Sequence, residues 1–143
     1  MQIGVDSQRA VENRRIFIVD QNEVNSMGLQ FILADEYETH ILAGPDAAIS
    51  KAQHWPPDLV LLGTSHIAQD ATATISRLRA QLPQAKILLV CANATQPGVS
   101  EALAAGANGL LTAPPTIEGA RRRVNTALGR IAPLGIPVVP VQS

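Results

Sequence analysis

The sequence predicts an α/β domain, a five-stranded parallel sheet covered by helices on both faces. Two observations point there. From Arg15 onward short aliphatic runs alternate with longer amphipathic stretches, the pattern of repeated βα units. The short runs are continuous rather than alternating in polarity, as in strands buried on both sides. With 143 residues and 46% hydrophobic content, the chain is sized for one well-buried core.

Strands are expected at residues 16–19, 40–43, 59–62, 87–91 and 109–111. Between the first two, Val24, Met27, Gly28, Phe31 and Ile32 recur at helical spacing and predict a stripe that lies on the sheet. A second helix is expected from Asp46, whose carboxylate accepts first-turn amide hydrogens, through Ile49 and Ala52 until Pro56 and Pro57 stop it. In a third, Ile75, Leu78 and Leu82 point inward and Arg77 and Arg79 outward.

A short alanine-rich fourth helix spans residues 96–105 and ends at Gly106. The fifth is marked by Ile117, Ala120, Val124, Ala127, Leu128 and Ile131, with Glu118 and Arg122 spaced to pair across one turn. Right-handed crossovers between parallel strands place these helices on both faces. The chain therefore divides into a polar N-terminal tail at 1–14, a domain at 15–131 and a proline-rich tail or linker at 132–143.

Composition narrows the function. A net charge of −1 gives no electrostatic drive toward nucleic acid or an anionic membrane. One cysteine and three dispersed histidines provide neither a disulfide framework nor a zinc site. No stretch approaches the roughly 20 apolar residues that span a bilayer, so a cytoplasmic protein is expected.

PPDLVLLGTSH at 56–66 resembles the third strand of response-regulator receiver domains (CheY-like), where an apolar run after Pro-Asp ends in the phospho-accepting aspartate. RRIFIVDQNEV resembles their first strand with its acidic cluster, ILLVCANAT the fourth, and EALAAGANGLLTAPPTIEGA the region around the fifth. The resemblance covers about residues 15–131 and implies a flavodoxin-like three-layer sandwich with strand order 2-1-3-4-5.

It also locates a phosphorylation pocket at the carboxyl ends of the strands, where parallel α/β folds gather their sites. Of the family's acidic pair, Asp20 remains and Gln21 is a neutral amide. The phospho-acceptor position holds Gly63, which has no side chain to act as nucleophile or metal ligand. Cys91 stands for the hydroxyl residue after strand four, Ala113 for the lysine after strand five, and Leu110 for the aromatic switch. The resemblance thus implies a degenerate pseudo-receiver: non-enzymatic, with no metal or cofactor, acting by contact with a protein partner or by homodimerisation. Val99, Leu103, Leu110 and Arg122 are its expected interface, with helix one a second family surface and a downstream output domain a further expectation. The alternative is a small-ligand or redox sensor that uses the vacant strand-end pocket.

Single residues carry two readings each. Asp20 either caps the first helix or hydrogen-bonds locally, against weak cation binding. Cys91 is a buried apolar thiol or a redox sensor. His66 is a solvated loop histidine or a pH-responsive one. Gly63 closes a strand-to-loop turn or opens the pocket. Arg121, Arg122 and Arg123, at consecutive helical positions, spread over the helix surface rather than forming one phosphate patch. No glycine-rich phosphate loop follows strand one, which disfavours a nucleotide or flavin.

Overall fold

The computed structural model describes residues 14–129. The tails expected at 1–14 and 132–143, residue 14 apart, and Ile131 of the fifth helix lie outside them. Five strands form one parallel sheet: β1 (Arg15–Val19), β2 (Glu38–Ile41), β3 (Leu59–Gly63), β4 (Lys86–Cys91) and β5 (Gly109–Thr112). Their order is β2-β1-β3-β4-β5. The helices are α1 (Glu23–Leu33), α2 (Pro45–Ala52), α3 (Ala71–Gln81), α4 (Val99–Ala105) and α5 (Ile117–Ala127), with one 3-10 turn at Thr64–His66.

Alternate strand residues feed two apolar layers. Ile16, Ile18, Leu59, Leu61, Leu88 and Val90 pack with Leu29, Ile32 and Leu33 of α1 and Ala120 and Val124 of α5. Phe17, Val19, Val60, Leu62, Ile87 and Leu89 pack with Ala48 of α2, Ile75 and Leu78 of α3 and Val99 and Ala102 of α4. Both sheet faces are thereby removed from water, each fully buried Leu or Ile contributing roughly 1.5–3 kcal/mol. This is the reason the strands read as unbroken aliphatic runs.

The helix ends follow from local chemistry. Asn22 caps α1 through its side-chain oxygen on the Asn25 amide, Asp70 caps α3 at Ala73, and Thr116 caps α5 at Gly119. Gly106, at a φ of 128°, ends α4 in a backbone region that side chains avoid.

Several expectations are corrected. Of the α1 stripe of Val24, Met27, Gly28, Phe31 and Ile32, Ile32 lies on the sheet as expected, but Val24, Met27 and Phe31 do not, being 77%, 63% and 77% exposed. The inward face is Ser26, Leu29, Ile32 and Leu33. The helix is apolar on two sides, and Leu29 with Leu33, one turn apart, fills the space above Ile16 and Ile18.

Strand β2 begins two residues earlier than 40–43, because Glu38 is paired in register with Arg15 and its carboxylate accepts from the Arg15 Nε at 2.8 Å. On this edge strand the polar register outweighs the apolar run. Asp46 does not cap α2. Gly44 holds the cap position, Pro45 opens the helix, and Asp46 lies in the first turn paired with Arg77 of α3. The helix ends at Ala52, before the two prolines.

Helix α4 begins at Val99 rather than residue 96, since Gly98 at a φ of 87° breaks the helical path. Leu82 is buried but lies just beyond α3. Arg79 does not point outward freely: its guanidinium donates to the carbonyl of Ala85 at 2.7 Å. Ile117 is 54% exposed at the start of α5 rather than buried, and Glu118 and Arg122 form no ion pair among those of the described residues.

Candidate functional site

Four strand ends meet at the carboxyl edge of the sheet. β1 delivers Asp20, β3 ends in Gly63, β4 ends in Cys91 and β5 is followed by Ala113, which precedes Pro114 across a cis peptide bond. A cleft of about 690 Å³ opens there, and Asp20, Gln21, Cys91 and Ala113 all line it. Four of the five expected pocket residues are thus brought together.

Gly63, the fifth, is buried beside Asp20. A Cβ added at Gly63 would lie 2.5 Å from Cγ and 2.9 Å from Oδ2 of Asp20. The Asp20 carboxylate occupies the volume into which any side chain at 63 would grow. The backbone of Gly63, at φ −73° and ψ 155°, is one that any residue adopts. Gly63 does stand where β3 passes into the 3-10 turn, as expected, but its lack of a side chain serves space rather than backbone freedom.

Asp20 is held from the helix side. Its Oδ1 accepts from the Asn22 amide at 2.9 Å and its Oδ2 from the Asn25 side-chain amide at 3.2 Å. Of its two expected local roles, capping α1 falls to Asn22. The spacing Asp20, Asn22, Asn25 is the signal that sequence reasoning passed over: an Asx turn that leads directly into a side-chain cap.

Cys91 is 3% exposed, and burial pushes its thiol pKa above the ordinary value. A buried, protonated thiol is a poor nucleophile. Leu110 is half-buried and packs against the α2/α3/α4 layer, away from the cleft lining. Of the remaining expected interface residues, Val99 is fully buried and presents nothing to a partner, because α4 turns it onto the sheet. Leu103 and Arg122 are exposed.

His66 is not a solvated loop residue. Its Nε2 is buried and has no hydrogen-bond partner among the described residues. The ring lies against Gly44, Cε1 being 3.5 Å from where a Cβ there would stand. Burial lowers its pKa, and the Asp20 charge partly opposes that shift. The three consecutive arginines of α5 separate as expected. Arg121 donates to the Ile32 carbonyl, Arg123 to the Leu110 carbonyl, and Arg122 is exposed.

The cleft lining adds Asn22, Asn25, Thr64, Ser65 and Gln96, neutral amides and hydroxyls that sequence reasoning did not single out. Among the described residues, Asp20 is the only charged side chain in that lining. Chemically the cleft offers hydrogen bonds to a neutral polar group and no cation to hold a phosphoryl oxygen.

A parallel 2-1-3-4-5 sheet with a cleft at the strand carboxyl ends is the architecture of flavodoxin-like domains. Within that class, the chain belongs to the response regulator receiver domain family, whose model matches residues 16–125. Among solved structures, a response regulator from Thermotoga maritima is 17% identical with a TM-score of 0.73, over 82% of this chain and 98% of its own. The receiver domain of a sensor histidine kinase from Pseudomonas aeruginosa PAO1, described with a magnesium ion coordinated in its active-site cleft, is 23% identical with a TM-score of 0.70, over 82% and 98%. A chemotaxis protein of Vibrio cholerae is 22% identical with a TM-score of 0.69, over 81% and 99%. No curated protein matches the sequence. No helix among the described residues is long and apolar enough to cross a membrane.

Proposed function

We propose that this chain is a pseudo-receiver: a receiver domain of two-component signalling that is not phosphorylated at the usual position and acts by protein contact rather than catalysis. The observation that carries the reading is the Asp20 carboxylate lodged over Gly63. The acceptor position has no nucleophile, and the volume an acceptor would need is filled. The lining adds no lysine or arginine to balance a phosphoryl group.

The donor set also fits magnesium poorly. A hard divalent cation seeks several oxygen ligands, carboxylates foremost, and here one carboxylate has both oxygens engaged by Asn22 and Asn25. Gln21 contributes only an amide. No step of the proposed function passes through a metal.

Contact is left as the output, through surfaces the family uses. Leu103, Leu110 and Arg122 belong to the α4-β5-α5 side, while α1 presents Val24, Met27 and Phe31 to solvent. The partner is another protein or a second copy, in the cytoplasm, with an output domain elsewhere in the same protein as a further reading. Direct binding to nucleic acid or membrane is not part of it.

Intact-mass spectrometry after incubation with acetyl phosphate and magnesium tests the proposal. An unmodified mass is expected, and a stoichiometric phosphoryl adduct overturns it. A second reading, a small-ligand sensor, is favoured by the 690 Å³ cleft and its neutral polar lining. Ligand-dependent melting across a metabolite panel would select that reading, since a ligand that binds the folded state raises its stability. The redox variant is opposed by the burial of Cys91.

A further inference from the structure

A groove of about 370 Å³ opens at the amino ends of β3 and β4, on the edge of the sheet opposite the cleft. Buried Pro57, Leu82 and Ala85 form its floor, and Pro56 and Pro83 its exposed rims. Asp58, its one charged residue among those described, is already satisfied: Oδ2 accepts from the Arg15 amide at 2.8 Å. Next to Pro56, Trp55 keeps 52% of its surface exposed, with the Arg15 guanidinium over its ring at 5.3 Å. A proline-walled slot beside an exposed indole suits an extended, proline-rich segment.

The chain leaves α5 at this same edge. Arg14, just before β1, donates from Nη1 to the Leu128 carbonyl at 3.2 Å, and Gly129, at a φ of 74°, turns the backbone out of the helical path. A second hollow of about 350 Å³ joins that exit to the groove: Arg14, Leu128 and Gly129 line it, and it shares Asp58 and Gln84 with the groove.

Residues 130–143 lie beyond the described ones. From Ile131 onward they carry no charge, and Leu134, Ile136, Val138, Val139 and Val141 are interspersed with Pro133, Pro137 and Pro140. At about 3.1 Å per residue in polyproline II they reach roughly 40 Å, ample for two hollows that share a wall.

We propose that this segment of the same chain docks in the groove, with Ile136 to Val141 against Pro57 and Leu82 and beside Trp55. Pro137 and Pro140 stand three residues apart, one turn of polyproline II, so both meet the same wall. A neutral apolar segment matches a groove with no unpaired charge. Docking also fixes the direction in which the chain runs after α5, away from the strand-end cleft.

Other occupants fit less well. In the segment 1–13, Asp6, Arg9 and Glu12 would bring charges that the groove cannot pair. The same segment of a second copy would compete with one tethered a few residues away, whose effective concentration is about millimolar.

The test uses the full chain, in which Trp55 is the sole tryptophan. Acrylamide quenching of its fluorescence reads whether the indole is covered, and thermal melting reads the stability that docking adds. Leu134→Ser/Ile136→Ser/Val139→Ser, with unchanged circular dichroism, is expected to raise the quenching constant about twofold and to lower the Tm by about 4 °C. Pro83→Asp and Gln84→Glu, on the exposed walls of the groove, should act in the same direction. A synthetic peptide of residues 131–143 should restore protection to the triple variant. Unchanged quenching in that variant overturns the proposal. An effect that neither Pro83→Asp nor Gln84→Glu reproduces overturns the groove as the seat. Protection that fades on dilution of the wild type overturns docking within one chain in favour of a second copy. Equal rescue by an unrelated proline-rich peptide overturns self-recognition in favour of a partner's segment. The phosphodonor experiment bears on none of these outcomes.

Discussion

The carboxylate of Asp20 lies where a side chain on Gly63 would have to begin. The two residues are 43 positions apart, on the ends of neighbouring strands β1 and β3, and each accounts for the other. Asp20 can turn inward because residue 63 is glycine, and a larger residue at 63 would have to expel it from its bonds to Asn22 and Asn25.

Gly63→Ala is therefore expected to destabilise the domain by about 1–3 kcal/mol, through overpacking and lost hydrogen bonds. Asp20→Ala should offset much of that loss in the double variant. Urea unfolding of the four-member cycle measures the coupling. Gly63→Asp should likewise fail to restore phosphorylation, read as an unmodified intact mass with acetyl phosphate and magnesium.

The orientation of α1 separates two substitutions in one helix. Leu29 is fully buried and Phe31 is 77% exposed. Leu29→Ala should cost about 2–5 kcal/mol, as deletion of a buried leucine does. Phe31→Ala should stay within about 0.5 kcal/mol. Equal losses in urea unfolding would contradict the placement of this helix.

His66 gives a pH dependence of known sign. Its folded-state pKa is lowered by burial, so below the unfolded value of about 6.5 the unfolded chain binds more protons than the native one. Stability contributed by neutral His66 is present above that pH and is lost as pH falls toward the lowered native value. His66→Gln should flatten this part of the curve. Glu38 acts at lower pH: Arg15, with His40 second, lowers its pKa. Its contribution is present above the usual carboxylate value and fades as pH falls below it. Chemical denaturation across pH 4 to 8, compared between wild type and variant, checks the His66 effect.

Cys91 should resist alkylation in the native protein. It is 3% exposed with its pKa raised by burial, and thiolate character governs reactivity. Labelling with iodoacetamide should proceed at the rate of unfolding and accelerate in urea. Rapid labelling without denaturant would reopen the redox-sensor alternative.

The sequence by itself determined the α/β class. Runs such as LVLL at 59–62 and ILLV at 87–90 are aliphatic without alternation, and only strands covered on both faces have that pattern. It also determined that residue 63 carries no nucleophile. Strand order and the gathering of Asp20, Gln21, Cys91 and Ala113 at one edge were legible through resemblance, and the structure brings those four side chains to one cleft.

Tertiary structure alone decided what depends on neighbours distant in sequence. Periodicity selects a helix at 23–33 but cannot choose between two apolar sides of it. The space over Ile16 and Ile18 chose Leu29 and Leu33 and left Val24, Met27 and Phe31 in solvent. Likewise, no local pattern could bury the Nε2 of His66 with its ring against Gly44, or set the Asp20 carboxylate over Gly63, since each contact forms only when separate βα units close on one sheet.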